Sequence, residues 1–303
     1  MIADAHCHFF SSGFLTTIGR EAGVAENAAT VLPGKLGWDA PGTNAELATR
    51  WIAELDRHGV SRAMLIASVP GDEASVVEAV NAHPTRLVGA FMVHAGAPDA
   101  PARVERAFAE SGLSTACLFP AMHHVSVDDA RTDAIFAVAA RHRRAVFVHC
   151  GVLSIGARKK LGLPSRFDLR LGDPLAVAAA AVRYPEVPVI LPHFGAGFFR
   201  EALMAASAAP NIYLDTSSSN SWVKLVPGLS LRDVMARALD VAGPSRLLFG
   251  TDSSFFPRGW QKAVFDEQRA VLMDLGVSAE IQALVFGGNF DRVFGSSLLT
   301  SGF

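Results

Sequence analysis

The stretch IADAHCHFF, residues 2–10, decides how this chain reads. Alternate side chains of a strand point to one face. A strand here puts Asp4, His6 and His8 together and turns Cys7 the other way. The two imidazoles then stand roughly 6.6 Å apart along the backbone and can converge on one ion at about 2.0–2.1 Å. Two strand histidines can also be simply hydrogen-bonded, so the choice rests on what the rest of the chain supplies.

Seven further short apolar runs follow: RAMLIAS (62–68), RLVGAFMV (86–93), TACLFPAM (115–122), AVFVHCG (145–151), VPVILPHFGAG (187–197), NIYLDTSS (211–218) and RLLFGTDSSF (246–255). Each is of strand length, rich in Val, Ile, Leu and Phe, and bounded by Gly, Pro or polar residues. Runs this apolar suit a parallel sheet covered on both faces. Amphipathic stretches lie between them. In residues 43–59, Leu47, Trp51 and Leu55 recur four apart, Thr43 and Glu46 form a capping box, and Gly59 is a stop. Eight strands each followed by a helix predict a single (β/α)8 barrel, with residues 1–303 as one domain. A doubly wound open sheet is the rival, but no glycine-rich phosphate loop follows the first strand. The connections 9–43, 151–172 and 218–230 are long and should rise as a cap from the C-terminal face.

The chain has 303 residues, 50% hydrophobic and 18% charged, with formal net charge −2. The charge balance excludes a general nucleic-acid surface. Cys7, Cys117 and Cys150 lie in apolar runs and do not make a disulfide framework. No basic segment precedes an apolar one at the N-terminus, and no apolar run approaches the ~20 residues of a membrane span. A cytoplasmic protein with no membrane partner is expected.

His149, His193 and Asp252 stand near the ends of the fifth, sixth and eighth runs. Strand ends of a barrel meet at one rim, where catalytic residues from several strands gather. Metal-capable side chains at four such ends favour a shared ion. His6-x-His8, His149, His193 and GTD with Asp252 resemble the amidohydrolase superfamily. The segments PHFGAGFF, NIYLDTSS and LLFGTDSSF are similar to its amidohydrolase-related branch of barrel hydrolases and decarboxylases. Binuclear members bridge their ions with a strand-borne carboxylated lysine or glutamate. Lys35, Lys159, Lys160, Lys224 and Lys262 all fall outside the predicted strands, and so does every glutamate. The resemblance therefore implies one divalent ion on His6, His8, His149 and Asp252. Nitrogen and oxygen donors favour Zn²⁺, with Mn²⁺ or Fe²⁺ as alternatives. By the same resemblance His193 contacts substrate or water, as acid, base or carbonyl polariser, with metal ligation as a second option. Asp252 can take a proton from the attacking water. Asp4, inward but deeper than His6, is expected to orient a ligand imidazole, with plain structural hydrogen bonding as the alternative.

Other residues are candidates for substrate contact. His94, His123 and His124 follow the third and fourth strands, near the rim. The basic loop 156–173 offers Arg158 and Arg166 to hold a carboxylate in a bidentate fork. Phe9, Phe10, Phe255, Phe256 and Trp222 could wall a flat apolar pocket. Asp215 is read as holding rim loops, and Asn289 with Arg292 as a structural pin. The expected function is hydrolysis of a small carboxylate-bearing ester, lactone or amide by activated water. The alternative is non-oxidative decarboxylation of an aromatic or enoic acid; a metal-free binding barrel is a third class. The expected partner is a small anionic substrate, and a homodimer is compatible with the sequence.

Overall fold

The computed structural model describes residues 1–24, 26–217 and 219–299. Eight strands form one sheet in sequence order: β1 (Ile2–Phe9), β2 (Val60–Ala67), β3 (Leu87–Val93), β4 (Thr115–Leu118), β5 (Ala145–Val148), β6 (Val189–Leu191), β7 (Ile212–Asp215) and β8 (Leu247–Leu248). All neighbours pair in parallel. The ring closes where Ala5 N–H donates to the Phe249 carbonyl (2.8 Å) and His8 N–H to that of Ser253 (2.7 Å). Helices alternate with the strands, so the fold is the expected (β/α)8 barrel. No helix among the described residues is long and apolar enough to cross a membrane.

Period-two alternation divides the core. Met64, Ile66, Val88, Ala90, Cys117, Phe147 and Ile190 fill the barrel interior, and Phe290 and Phe294 join them from the last helix. Leu65, Ala67, Phe91 and Val146 face outward against helical residues such as Trp51 and Leu55. The helix Asn44–Arg57 shows how local sequence produces this layer. Thr43 accepts from Glu46 N–H while Glu46 accepts from Thr43 N–H, closing the capping box. The same helix then buries Leu47, Trp51 and Leu55.

Two expectations change. The period-two reading put Asp4 inside the barrel with His6 and His8. Asp4 pairs with Ala63, yet Cys7 pairs with Leu65, so three steps on β1 match two on β2. That bulge reverses the parity of the strand. Ala3 and Ala5 point inward, Asp4 points outward, and His6 and His8 regain the interior. The second change concerns the long connections, which carry structure of their own. Residues 9–43 contain the helices Ser12–Glu21 and Ala28–Leu36, and residues 151–172 the helix Gly156–Lys160. Phe14, Leu15, Ile18, Leu32, Leu36 and Ala157 form a separate small core between them. Arg158 pairs with Glu21 at 2.5 Å, and Lys160 Nζ donates to the Leu36 carbonyl at 2.6 Å. In the connection 218–230, Ser218 lies outside the described residues, and a short helix spans Ser219–Trp222.

Candidate metal centre

Hydrogen bonds fix the protonation of both β1 imidazoles. Ser68 Oγ donates to the Ile66 carbonyl (2.9 Å), so it must accept from His8 Nδ1–H at 2.7 Å. His6 Nδ1 lies 2.7 Å from Asp215 Oδ2 and 2.8 Å from Ser217 Oγ, which makes it the protonated nitrogen. Each ring thus turns an unprotonated Nε2 toward the other, 3.3 Å apart. Asp252 Oδ1 closes the group, 3.1 Å from His8 Nε2 and 3.7 Å from His6 Nε2. Ligand atoms of His6, His8 and Asp252 all lie within 4.8 Å of one another.

Three electron-pair donors facing each other repel unless a positive charge sits among them. The titration directions agree. Burial opposes charge on His6, but Asp215 outweighs it and raises this imidazole above its usual range. Burial would also raise Asp252, yet positive charge shared with the neighbouring imidazoles of His8, His6 and His193 would hold it well below the carboxylate range. The donor set therefore fits a divalent cation bound by nitrogen and oxygen.

Backbone contacts set this geometry. Asp252 N–H donates to the His6 carbonyl at 2.9 Å, tying carboxylate to imidazole through the main chain. Gly250 passes so close that a Cβ would stand 2.8 Å from His6 Cβ and 2.7 Å from Asp215 Oδ1. Asp252 (φ 60°) and His193 (φ 57°) both adopt the left-handed region, which costs a non-glycine residue about 1–3 kcal/mol and concentrates at functional sites. Outside the barrel wall, Asp4 accepts from His6 N–H (2.9 Å), Thr251 Oγ1 (2.6 Å) and Trp260 Nε1 (2.7 Å). It holds backbone rather than a ligand imidazole. The carboxylate behind the His6 ring is Asp215.

His149 and His193 line the same cavity but do not join the converging set. His149 follows Ala145 and Phe147 on the inward face, and its buried Nδ1 has no partner among the described residues. Its ring centre lies 5.2 Å from that of His193, which in turn lies 5.0 Å from that of His6. His193 Nδ1 faces the Ser217 carbonyl at 2.8 Å, so it is protonated and Nε2 is the free acceptor. Burial holds both imidazoles below their usual range, reinforced at His149 first by His193 and at His193 by His6.

The cavity measures about 510 Å³. Phe10, Phe14, Trp38, Phe119, Trp222 and Phe255 line it, whereas Phe9 and Phe256 pack in the outer layer. Arg158, Arg166 and His123 are not among the lining residues. Arg158 is occupied by Glu21, and Arg166 is exposed. The cations at the cavity are Arg258 and Lys160. Arg258 stands six residues past Asp252, in a stretch with no periodicity to mark it.

His123 stacks on His94 at 4.5 Å instead. Burial, then the neighbouring His94, lowers His123 to about 4. The unfolded chain takes up this proton near 6.5, so the stability is complete above that pH and is lost as pH falls toward 4. Between pH 7 and pH 5 His123 should cost about 1–2 kcal/mol, discounted for partial exposure. His123→Gln should remove that part of the loss in denaturant unfolding; an unaltered pH dependence would show that His123 is not the group responsible.

A parallel barrel whose first and last strands bring two imidazoles and a carboxylate together at the C-terminal rim is the framework of a metal-dependent barrel enzyme. The chain belongs to the amidohydrolase family, whose model matches residues 3–296. A curated relative, protein fluG of Emericella nidulans, is 30% identical over 90 residues, covering 30% of this chain and 10% of that protein. The chain thus matches about a tenth of that relative's length. Among solved structures it is similar to a 5-carboxyvanillate decarboxylase from Novosphingobium aromaticivorans with bound manganese and 3-methoxy-4-hydroxy-5-nitrobenzoic acid. The TM-score is 0.63 and the identity 15%, over 97% of each chain. It is also similar to a probable 2-pyrone-4,6-dicarboxylic acid hydrolase from Acinetobacter baumannii with citric acid bound. There the TM-score is 0.60 and the identity 14%, over 97% of this chain and 99% of that one. Both likenesses lie in the fold.

Proposed function

We propose that this protein is a mononuclear metal-dependent hydrolase of a small carboxylate-bearing ester, lactone or amide, with one barrel domain taking in residues 1–303. The observation that carries this function is the convergence of His6 Nε2, His8 Nε2 and Asp252 Oδ1 on one point. A divalent cation held there supplies Lewis acidity toward a carbonyl oxygen or a water. Zn²⁺ suits the donors, and Mn²⁺ or Fe²⁺ also fits them. His149 is the candidate for a fourth ligand. The eight strands carry no lysine or glutamate, so no strand residue is available to bridge a second ion.

Asp252 removes a proton from water, whose oxygen adds to the carbonyl carbon. His193 Nε2, a free acceptor, takes a hydrogen bond from that water and orients it, and the bond to the leaving group breaks as that group takes the proton back from Asp252. A second chemistry, non-oxidative decarboxylation, is favoured by the flat aromatic wall at Phe10, Trp38 and Phe255, which suits a planar acid. There the bond to the carboxyl carbon breaks, its electron pair stays on the ring or alkene carbon, and that carbon takes a proton that His193 Nε2 has first accepted from water. The deciding experiment is carbon dioxide release from aromatic and enoic acids beside hydrolysis of esters and lactones, with Zn²⁺ or Mn²⁺ supplied. Hydrolysis alone supports the first chemistry and gas release the second. Full activity in protein shown by elemental analysis to lack metal sinks both.

Asp215 should matter through His6. Partners behind a ligand imidazole contribute about 10–100-fold in metal affinity, so Asp215→Asn should weaken the cation by that factor in chelator competition. An affinity equal to that of the unsubstituted protein would remove Asp215 from the site.

A further inference from the structure

Resting on the metal-centre assignment, we propose that Arg258 is a specificity-determining residue. It holds a second anionic group of a planar substrate, beside the group that meets the cation. Arg258 lines the cavity, and Asp252 is its one acidic lining residue among those described. Arg258 Nη2 donates to Ser254 Oγ at 2.6 Å and to the Asp252 carbonyl at 3.2 Å. Its Nε and Nη1 have no hydrogen-bond partner, and no carboxylate lies within ion-pair distance, among the described residues. Both bidentate edges of a guanidinium use Nη2, which Ser254 and the Asp252 carbonyl engage, so Nε and Nη1 offer an anion at the cavity single charge-assisted hydrogen bonds.

Its plane is also fixed. Arg258 Cζ sits 4.5 Å over the Phe255 ring. Phe255 stacks on Trp38 (4.6 Å, 14°), Trp38 on Phe10 (5.3 Å, 17°), and Phe10 on Phe14 (4.1 Å, 6°). The guanidinium lies over the last of a ladder of near-parallel rings, and this contact together with the Ser254 hydrogen bond limits its freedom before an anion binds. A planar conjugated molecule can lie along this wall with one anionic edge at Arg258 and its other oxygens toward His6 and His8. Lys160, the other lining cation, is tied to the Leu36 carbonyl and, as a single flexible ammonium, gives no comparable orientation.

Calorimetric titration with isophthalate (benzene-1,3-dicarboxylate) and its monomethyl ester tests this, in chelator-treated and Mn²⁺-supplied protein. The unsubstituted protein should prefer the dianion tenfold or more. Arg258→Met should erase that preference and leave the monoester within twofold. Arg258→Lys should restore only part of it, because charge returns without the directed N–H groups or the contact with the Phe255 ring. Phe255→Leu should reduce it by freeing the guanidinium. His8→Asn serves as the separate control: should the metal-centre assignment fail, His8→Asn would leave Mn²⁺ uptake unchanged while the Arg258 contrast persisted. A preference for the dianion that survives Arg258→Met, or no preference in the unsubstituted protein, overturns the proposal.

Discussion

His8→Asn should cost the protein its divalent cation, with affinity falling at least about 100-fold, beyond the loss expected for a residue that only orients a ligand. Activity at limiting cation should fall in proportion. His8 Nε2 is one of three donors on the shared point, and Asn is too short to bring an acceptor there while keeping the contact to Ser68. His6→Asn should have the same effect and lower stability as well. Asp215 is fully buried and loses the N–H it accepts, and a buried carboxylate without its partner is strongly destabilising. Elemental analysis after dialysis, beside a thermal melt, separates the two. A His8→Asn protein that retains one equivalent of cation would remove His8 from the ligand set.

Asp4→Ala should be the most damaging substitution for stability. The carboxylate is fully buried, and burial pushes it up against the pull of Thr251, His6 N–H and Trp260. Its removal strands the Thr251 hydroxyl, the Trp260 indole N–H and the His6 and Thr251 amides. Unsatisfied buried donors cost about 1–3 kcal/mol each when they cannot relax to water, so a total of roughly 3–5 kcal/mol is expected. Asp4→Asn should not restore it, because its amide presents N–H where donors already converge. Denaturant unfolding gives the number. A loss under about 1 kcal/mol would mean the β1–Trp260 connection is held by other contacts.

The barrel was legible because each strand is buried on both faces and each helix has its own cap and stripe, so local pattern and global fold agree. The His6–His8 pair and Asp252 were legible for the same reason: strand ends meet at one rim. The place of Asp4 was not, because a bulge exists only in the register between two strands and leaves no trace in one of them. Asp215 could have been found from the alternation of β7, since Tyr213 pairs with inward Ile190 and Asp215 shares its face. Arg258 could not, because the backbone between Asp252 and Trp260 follows no period that would aim a side chain. Rim membership also says nothing of distance: His149 lines the same cavity, with its ring centre 5.2 Å from that of His193.

The extra residue in β1 gives a single strand two allegiances, one to the outer layer through Asp4 and one to the chemistry through His6 and His8. Deleting Ala5 would match the steps of β1 and β2 from Ala3 onward, so that an outward Asp4 and an inward His6 could no longer coexist. The segment's length is therefore as constrained as its composition.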